Sequence, residues 1–195
     1  MPDWPDLYLM RHGQTVWNAE GRMQGHLDSP LTKLGEAQAR RQAWLVSPLR
    51  GMARYASPAG RAQQTARIVF GDQEFISDSR LLEIDIGAFT GLTWSKLCAE
   101  HPDICGRGGL DWYDRAPGGE HFSGLEARVR AFLSDLPGPA MIVTHGITLR
   151  MLRLVAMGLP LVRLAEMPVL QGALHLVSRG QHRMFFKARS SGFGW

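Results

Sequence analysis

The sequence predicts an α/β fold, a mainly parallel and partly mixed sheet flanked by helices on both faces, and three observations carry that prediction. Leu7-Tyr8-Leu9-Met10 is an apolar run that follows Asp6 and stops abruptly at Arg11-His12-Gly13. Met141-Ile142-Val143 repeats the pattern and ends in Thr144-His145-Gly146. Apolar runs without alternation are the mark of strands buried on both faces, as in parallel sheets. Between and after these runs, strand signals alternate with helical ones, the order expected of strand–helix units. Ligands bind such sheets just past the carboxyl ends of the strands. Both His-Gly pairs therefore stand where a ligand would sit.

Taken in order, the first strand leads into a polar loop that runs to about Pro30. Thr32 can cap a helix with Leu34, Ala37, Gln38, Arg41 and Leu45 at helical spacing, ending before Pro48. Met52 to Ala56 reads as a short second strand and Ser57-Pro58 as a turn. Gly60 to Phe70 then reads as a helix stopped by Gly71. Glu74 to Ser77 is a candidate third strand. From about Gly87 to Gly119 periodicity fades, apart from a helical signal over Thr93 to Glu100, and the stretch reads as a loop-rich lid. Ser123-Gly124-Leu125-Glu126 resembles a capping box, opening a helix that turns Leu125, Val129, Phe132 and Leu136 to the core. Ile147 to Met157 is helical and ends at Gly158. Ala173 to Ser178 and Met184 to Ala188 form a hairpin through Gly180. Residues 1–195 are expected as one domain, with the lid at about 87–119 and a mobile tail at about 190–195.

Length and an apolar share of 45% suit one domain with a full core. The formal charge of +4 comes mostly from arginine, since Lys33, Lys96 and Lys187 are the only lysines. The basic residues are scattered rather than clustered, which argues against a nucleic-acid partner. No signal peptide or membrane-spanning run is evident, so no membrane partner is expected. Cys98 and Cys105 have no zinc-type neighbours and are expected as free thiols of a cytoplasmic protein.

Arg11 offers a flat donor fork matched to phosphate, and His12 can act as a nucleophile or proton carrier. Gly13 would let the backbone approach a ligand closely. Arg61 falls near the start of the helix after the second strand, where helical N–H groups add to its charge. Glu83 lies among apolar neighbours in Leu81-Leu82-Glu83-Ile84, and burial raises a carboxyl pKa toward the range of a general acid. Each residue alone has an ordinary structural explanation. Together they point to an anion site.

The ordered set Arg11-His12-Gly13, Ser57-Pro58 to Arg61-Ala62 and Gln64-Thr65-Ala66, Leu82-Glu83-Ile84-Asp85-Ile86-Gly87 with Gly91, Pro117-Gly118-Gly119-Glu120, and His145-Gly146 resembles the histidine phosphatase superfamily. The stretch from Trp17 to Thr32 is similar to its phosphoglycerate mutase-like branch, and the likeness covers roughly residues 7 to 160. It implies the phosphoglycerate mutase-like fold. It also implies a phosphomonoesterase in which His12 becomes phosphohistidine and Glu83 first protonates the leaving oxygen, then accepts a proton from water. Arg11, Arg61 and His145 would hold the phosphoryl oxygens, two guanidiniums and an imidazolium replacing metal ions. Asn18, Gln24, Gly25 and Gly146 match positions around the phosphate and substrate. No cofactor and no metal are implied, and the partner is a small phosphorylated metabolite.

Two positions depart from the family pattern. His121 replaces the Ser usual after Pro117-Gly118-Gly119-Glu120, and Phe89-Thr90 replaces an aromatic-Glu pair; both changes fall where substrates are selected. The remaining histidines, His26, His101, His175 and His182, read as structural or solvated. Three rival readings are a mutase, a non-catalytic phosphate-binding regulator and a nucleic-acid-binding domain. Family mutases carry a large insertion between the positions of Glu83 and His145, for which this chain has little room. The C-terminal hairpin and aromatic tail are compatible with a homodimer.

Overall fold

A computed structural model describes residues 4–105 and 109–186. Six strands form one sheet: β1 (Leu7–Arg11), β2 (Ala53–Ala56), β3 (Ile76–Ser77), β4 (Ala140–Thr144), β5 (Leu174–Ser178) and β6 (Gln181–Phe185). Their order is β3-β2-β4-β1-β5-β6. The first four in that order run parallel, β5 is antiparallel to β1 and β6 is antiparallel to β5, so the sheet is mixed as expected. The helices are α1 (Val16–Ala19), α2 (Lys33–Val46), α3 (Gly60–Phe70), α4 (Trp94–Glu100), α5 (Pro102–Cys105), α6 (Asp111–Asp114), α7 (His121–Ser134) and α8 (Gly146–Ala156). None is long and apolar enough to cross a membrane, among the described residues.

Successive strand residues point to opposite faces, and both faces are covered. Leu7, Leu9, Ala140, Ile142 and Tyr55 enter a core with Leu125, Val129 and Phe132 of α7 and Leu149 and Leu152 of α8. Met10, Ala56, Met141 and Val143 enter a second core with Ala39 and Val46 of α2 and Ala62, Ala66 and Val69 of α3. The hairpin between β5 and β6 turns on Arg179 and Gly180, both at positive φ (50° and 70°), as a two-residue turn matched to strand twist requires.

The lid differs from its expectation. It is built of short helices, α4, α5 and α6, whose Leu97, Ile104 and Trp112 are buried in the first core. α4 matches the helical signal over Thr93 to Glu100, whereas α5 and α6, of four residues each, are too short to show a period and read as loop. Cys98 and Cys105 are not free thiols but form a disulfide that ties α4 to α5. The chain folds back after His101 and brings their Cα atoms to 5.4 Å, a proximity that sequence spacing does not reveal. Unpaired thiols were the support for a cytoplasmic location, and that support is gone.

The capping box at Ser123 is also corrected. α7 begins two residues earlier, at His121, and its end is capped from afar, with Phe122 N–H donating to Asp114 Oδ1 at 2.6 Å. β6 ends at Phe185, short of the expected Ala188. Ala188 and the tail at 190–195 lie outside the described residues.

Gly13 serves packing rather than ligand approach. A Cβ at Gly13 would lie 2.2 Å from the Gly35 carbonyl oxygen, and one at Gly35 would lie 2.0 Å from that of Gln14. The backbone of α2 thus presses directly on the loop after His12. Gly35→Ala is expected to lower folding stability by about 1–3 kcal/mol or more through overpacking. Urea denaturation measures it, and an unchanged midpoint would mean that the two backbones are free to part.

Candidate active site

The carboxyl ends of β1, β4 and β2 meet at one end of the sheet, and they deliver Arg11 and His12, His145, and Ser57 respectively. β1 and β4 pair in register up to Arg11 and Thr144, and His12 N–H donates to the Thr144 carbonyl at 2.9 Å. His12 and His145, remote in sequence, therefore become neighbours with ring centroids 5.2 Å apart. β2 ends one residue before Ser57, whose Oγ lies 2.7 Å from His145 Nε2. Arg61 enters from the first turn of α3.

His12 is buried, and its Nδ1–H donates to the Gly13 carbonyl at 2.8 Å. That bond places the proton on Nδ1 and leaves the lone pair on Nε2. Burial first, then the Arg11 and Arg61 guanidiniums, hold the imidazole well below its usual pKa, so it stays unprotonated. His145 is fully buried and is pushed down the same way, by burial and then by Arg61 and His12. The protein's own groups thus keep His145 neutral, in place of the imidazolium expected from the sequence.

Arg61 is held by the loop before α2. Its Nη1 donates to the Leu27 carbonyl at 2.6 Å and to Asp28 Oδ1 at 3.1 Å, and its Nη2 donates to the Gly25 carbonyl at 2.8 Å. The Arg61 backbone N–H, expected to face an anion, is taken by Asp28 Oδ1. Arg11 Nη1 donates to the Val169 carbonyl at 3.3 Å, while Gln42 from α2 fixes the Arg11 carbonyl at 2.9 Å. Three buried nitrogens, Arg11 Nε, Arg61 Nε and His145 Nδ1, have no protein partner. Buried donors are normally paired, and Arg11 and Arg61 both line one pocket, where an anion would satisfy their orphaned nitrogens.

Glu83 is not surrounded by hydrocarbon. Its Oε1 accepts N–H bonds from Ile84, Ile147 and Thr148, and its Oε2 accepts from Ile147 at 3.1 Å. The carboxylate therefore caps α8 from a different segment, with Oε1 anchored and Oε2 more lightly held. Gly146 lies between Glu83 and Arg11: a Cβ there would stand 3.5 Å from Oε2 and 3.6 Å from Arg11 Cζ.

Arg11, His12, Asn18, Gln24, Gly25, Arg61 and Glu83 line one pocket of about 210 Å³. His145 and Gly146 are not among its lining residues; His145 packs edge-on against His12, and Gly146 sits between Glu83 and Arg11. Asn18 is oriented by two donors on its Oδ1, Thr15 N–H and Gln171 Nε2, both at 3.2 Å, which leaves its Nδ2 for the pocket. Sequence reasoning missed Gln171 and Ser57, whose roles rest on contacts across the fold. The lid helix α6 supplies Trp112 and Tyr113. They stack on each other at 3.6 Å, and both form part of the pocket wall with Met23, Ile86 and Arg22. Burial, and then the Glu83 charge, raise the Tyr113 phenol above its ordinary range. His121 does not reach the pocket: it is exposed, at φ 62°, and its Nδ1 rests on the Asp114 carbonyl. His26 Nε2 contacts the Glu83 carbonyl at 2.9 Å.

A family model described as histidine phosphatase superfamily (branch 1) matches residues 7–190. The chain is 41% identical over 164 residues to a protein of Enterobacter sp. (strain 638) named "Probable phosphoglycerate mutase GpmB", covering 79% of this chain and 75% of that one. Its fold is similar to the solved α-ribazole phosphatase of Shigella flexneri, with a TM-score of 0.79 and 26% identity over 92% of this chain and 94% of that one. It is likewise similar to a mycobacterial glucosyl-3-phosphoglycerate phosphatase solved with VO3, with a TM-score of 0.78 and 26% identity over 93% and 97% of the two chains.

The buried histidines set a pH dependence for folding. His12 and His145 are held below their ordinary value, and His175 is pushed down to about 3 by burial and then by Arg153 and His182. The unfolded chain binds protons on these residues near pH 6.5, and the native chain does not. Stability is therefore full above about pH 6.5 and falls as the pH drops below it. Urea midpoints at about pH 7.5 and about pH 5.5 should differ in that sense, and equal midpoints would show these histidines already charged in the fold.

Proposed function

The chain belongs to the histidine phosphatase superfamily, and we propose that it is a phosphomonoesterase that transfers the phosphoryl group of a small phosphorylated metabolite to His12 and then to water. The observation that carries this reading is the His12 tautomer: Nδ1–H is committed to the Gly13 carbonyl, so Nε2 offers its lone pair. Attack of Nε2 on phosphorus breaks the ester P–O bond. The bonding pair stays with the leaving oxygen, which takes a proton from the Glu83 carboxyl. Water then attacks the phosphohistidine, gives its proton to Glu83, and the P–N bond breaks to release phosphate. Oε2, with a single N–H partner, is the oxygen free to exchange that proton.

Arg11 and Arg61 are the charges that gather the phosphoryl oxygens, with Asn18, Gln24 and Gly25 around them. Such transfer is mostly positioning and charge stabilisation. The orphaned Arg11 Nε and Arg61 Nε support this assignment.

A mutase reading is favoured by the name of the 41% identical relative. It requires a second anion site. Beyond the cradle, Arg22 is the only further cation lining the pocket among the described residues. Its Nη1 is tied to the Gly91 carbonyl at 2.6 Å, and its Nε faces Glu20 at 3.4 Å. The rest of the mouth is Met23, Ile86 and the Trp112–Tyr113 stack. These features, and the phosphatases among similar structures, support hydrolysis.

Phosphate release from a panel of phosphomonoesters, with EDTA present and His12→Ala in parallel, tests the reading. Release by the native protein alone is expected; a folded protein silent across the panel would move the assignment to the mutase or to a phosphate-binding regulator. Glu83→Gln should slow alkyl phosphates by about 10²–10⁴, the usual scale of general acid catalysis. Nitrophenyl phosphate, whose leaving group needs no proton, should slow far less. Equal slowing of both would remove Glu83 from the acid's role.

A further inference from the structure

His145 has two ring nitrogens in very different settings. Nε2 lies 2.7 Å from Ser57 Oγ, while Nδ1 is buried without a protein partner. Ser57 is itself fully buried. Its Oγ already accepts a hydrogen bond from Ala59 N–H at 3.3 Å, and His145 Nε2 is the only acceptor within reach of its hydroxyl proton among the described residues. A buried hydroxyl that kept its proton unmatched would be costly. The Ser57 proton therefore points at Nε2, and Nε2 must be the acceptor. Neutral imidazole then carries its own proton on Nδ1. Protonating both nitrogens would bring a third positive charge beside Arg11 and Arg61 in a buried site.

Building on the phosphatase reading, we infer that Ser57 is a positioning residue that fixes His145 as the neutral tautomer with its proton on Nδ1, making Nδ1–H the donor for a phosphoryl oxygen. The two histidines then carry the same tautomer and use it in opposite ways. His12 spends Nδ1–H on the Gly13 carbonyl and presents a lone pair from Nε2. His145 spends its Nε2 lone pair on Ser57 and presents a proton from Nδ1. One is the nucleophile and the other the hydrogen-bond donor. The difference arises from which backbone or side-chain group each ring meets at the end of its strand.

Nitrogen-15 NMR of the histidine-labelled protein reads the tautomer directly, with His145→Gln identifying the resonances. The native protein should show a protonated-type Nδ1 and an unprotonated-type Nε2 for His145. Ser57→Ala should shift that population toward Nε2–H and lower kcat by about tenfold or more. Ser57→Thr, which keeps the hydroxyl, should restore both the spectrum and the rate. A proton on Nε2 in the native protein overturns the inference, as does a tautomer unmoved in Ser57→Ala. The spectrum needs no substrate. A protein that releases no phosphate yet shows the Nδ1–H tautomer would therefore remove the phosphatase reading and leave the role of Ser57 in place.

Discussion

The hydrogen bond from His12 N–H to the Thr144 carbonyl carries the pairing of β1 and β4 one residue past the strand end, and the site is assembled around it. Parallel strands in register must end at the same level, so the residue after each strand falls beside the residue after its neighbour. With Arg11 opposite Thr144, His12 and His145 have no freedom to sit elsewhere. A one-residue slip would turn every side chain of the strand to the other face and carry the histidines apart with it. Register is in turn fixed by two cores, since Leu7 and Leu9 belong to one face and Met10 to the other.

Charge is the second constraint. The site brings two guanidiniums and two imidazoles together, and the fold manages this by giving the guanidiniums carbonyl partners and by keeping the imidazoles neutral. Glu83 contributes the negative charge on the pocket's other side and is held by the N-terminus of α8. Holding a carboxylate with backbone N–H groups leaves the arginines without a direct salt bridge to it. They are therefore open to a phosphoryl group rather than spent on Glu83.

Much of this was legible in the chain because strand-terminal motifs are local. Arg11-His12-Gly13 and Thr144-His145-Gly146 announce both the strands and their functional ends, and Gly60 to Phe70 reads as the helix it is. What escaped depends on distance. Ser57 acts through His145 and Gln171 through Asn18, contacts that no spacing rule foretells. The disulfide and the cap on α7 by Asp114 escaped for the same reason, while α5 and α6 escaped because they are too short to show a period. The Gly13 misreading is instructive: the residue type was right, but the close approach it permits is to the backbone of α2.

The lid leaves and rejoins the frame at a single point. Ala88 N–H donates to the Pro117 carbonyl at 3.0 Å, Glu120 N–H donates to the Asp85 carbonyl at 3.0 Å, and Gly87 packs so tightly there that a Cβ would lie 2.2 Å from Pro117 O. The described residues between carry Trp112 and Tyr113 to the pocket and are tied to the loop beside it, where Gly91 N–H donates to the Met23 carbonyl at 2.8 Å and Met23 N–H donates to the Leu92 carbonyl at 2.9 Å. The cost of loop closure itself grows only slowly with length, so what anchors the excursion is the burial of Leu97, Ile104 and Trp112 in the first core. The strand ends hold the proposed chemistry, and the lid supplies the Trp112–Tyr113 wall of the pocket. The two walls of the pocket are thus built by separate stretches of the chain, one at the strand ends and one in the lid.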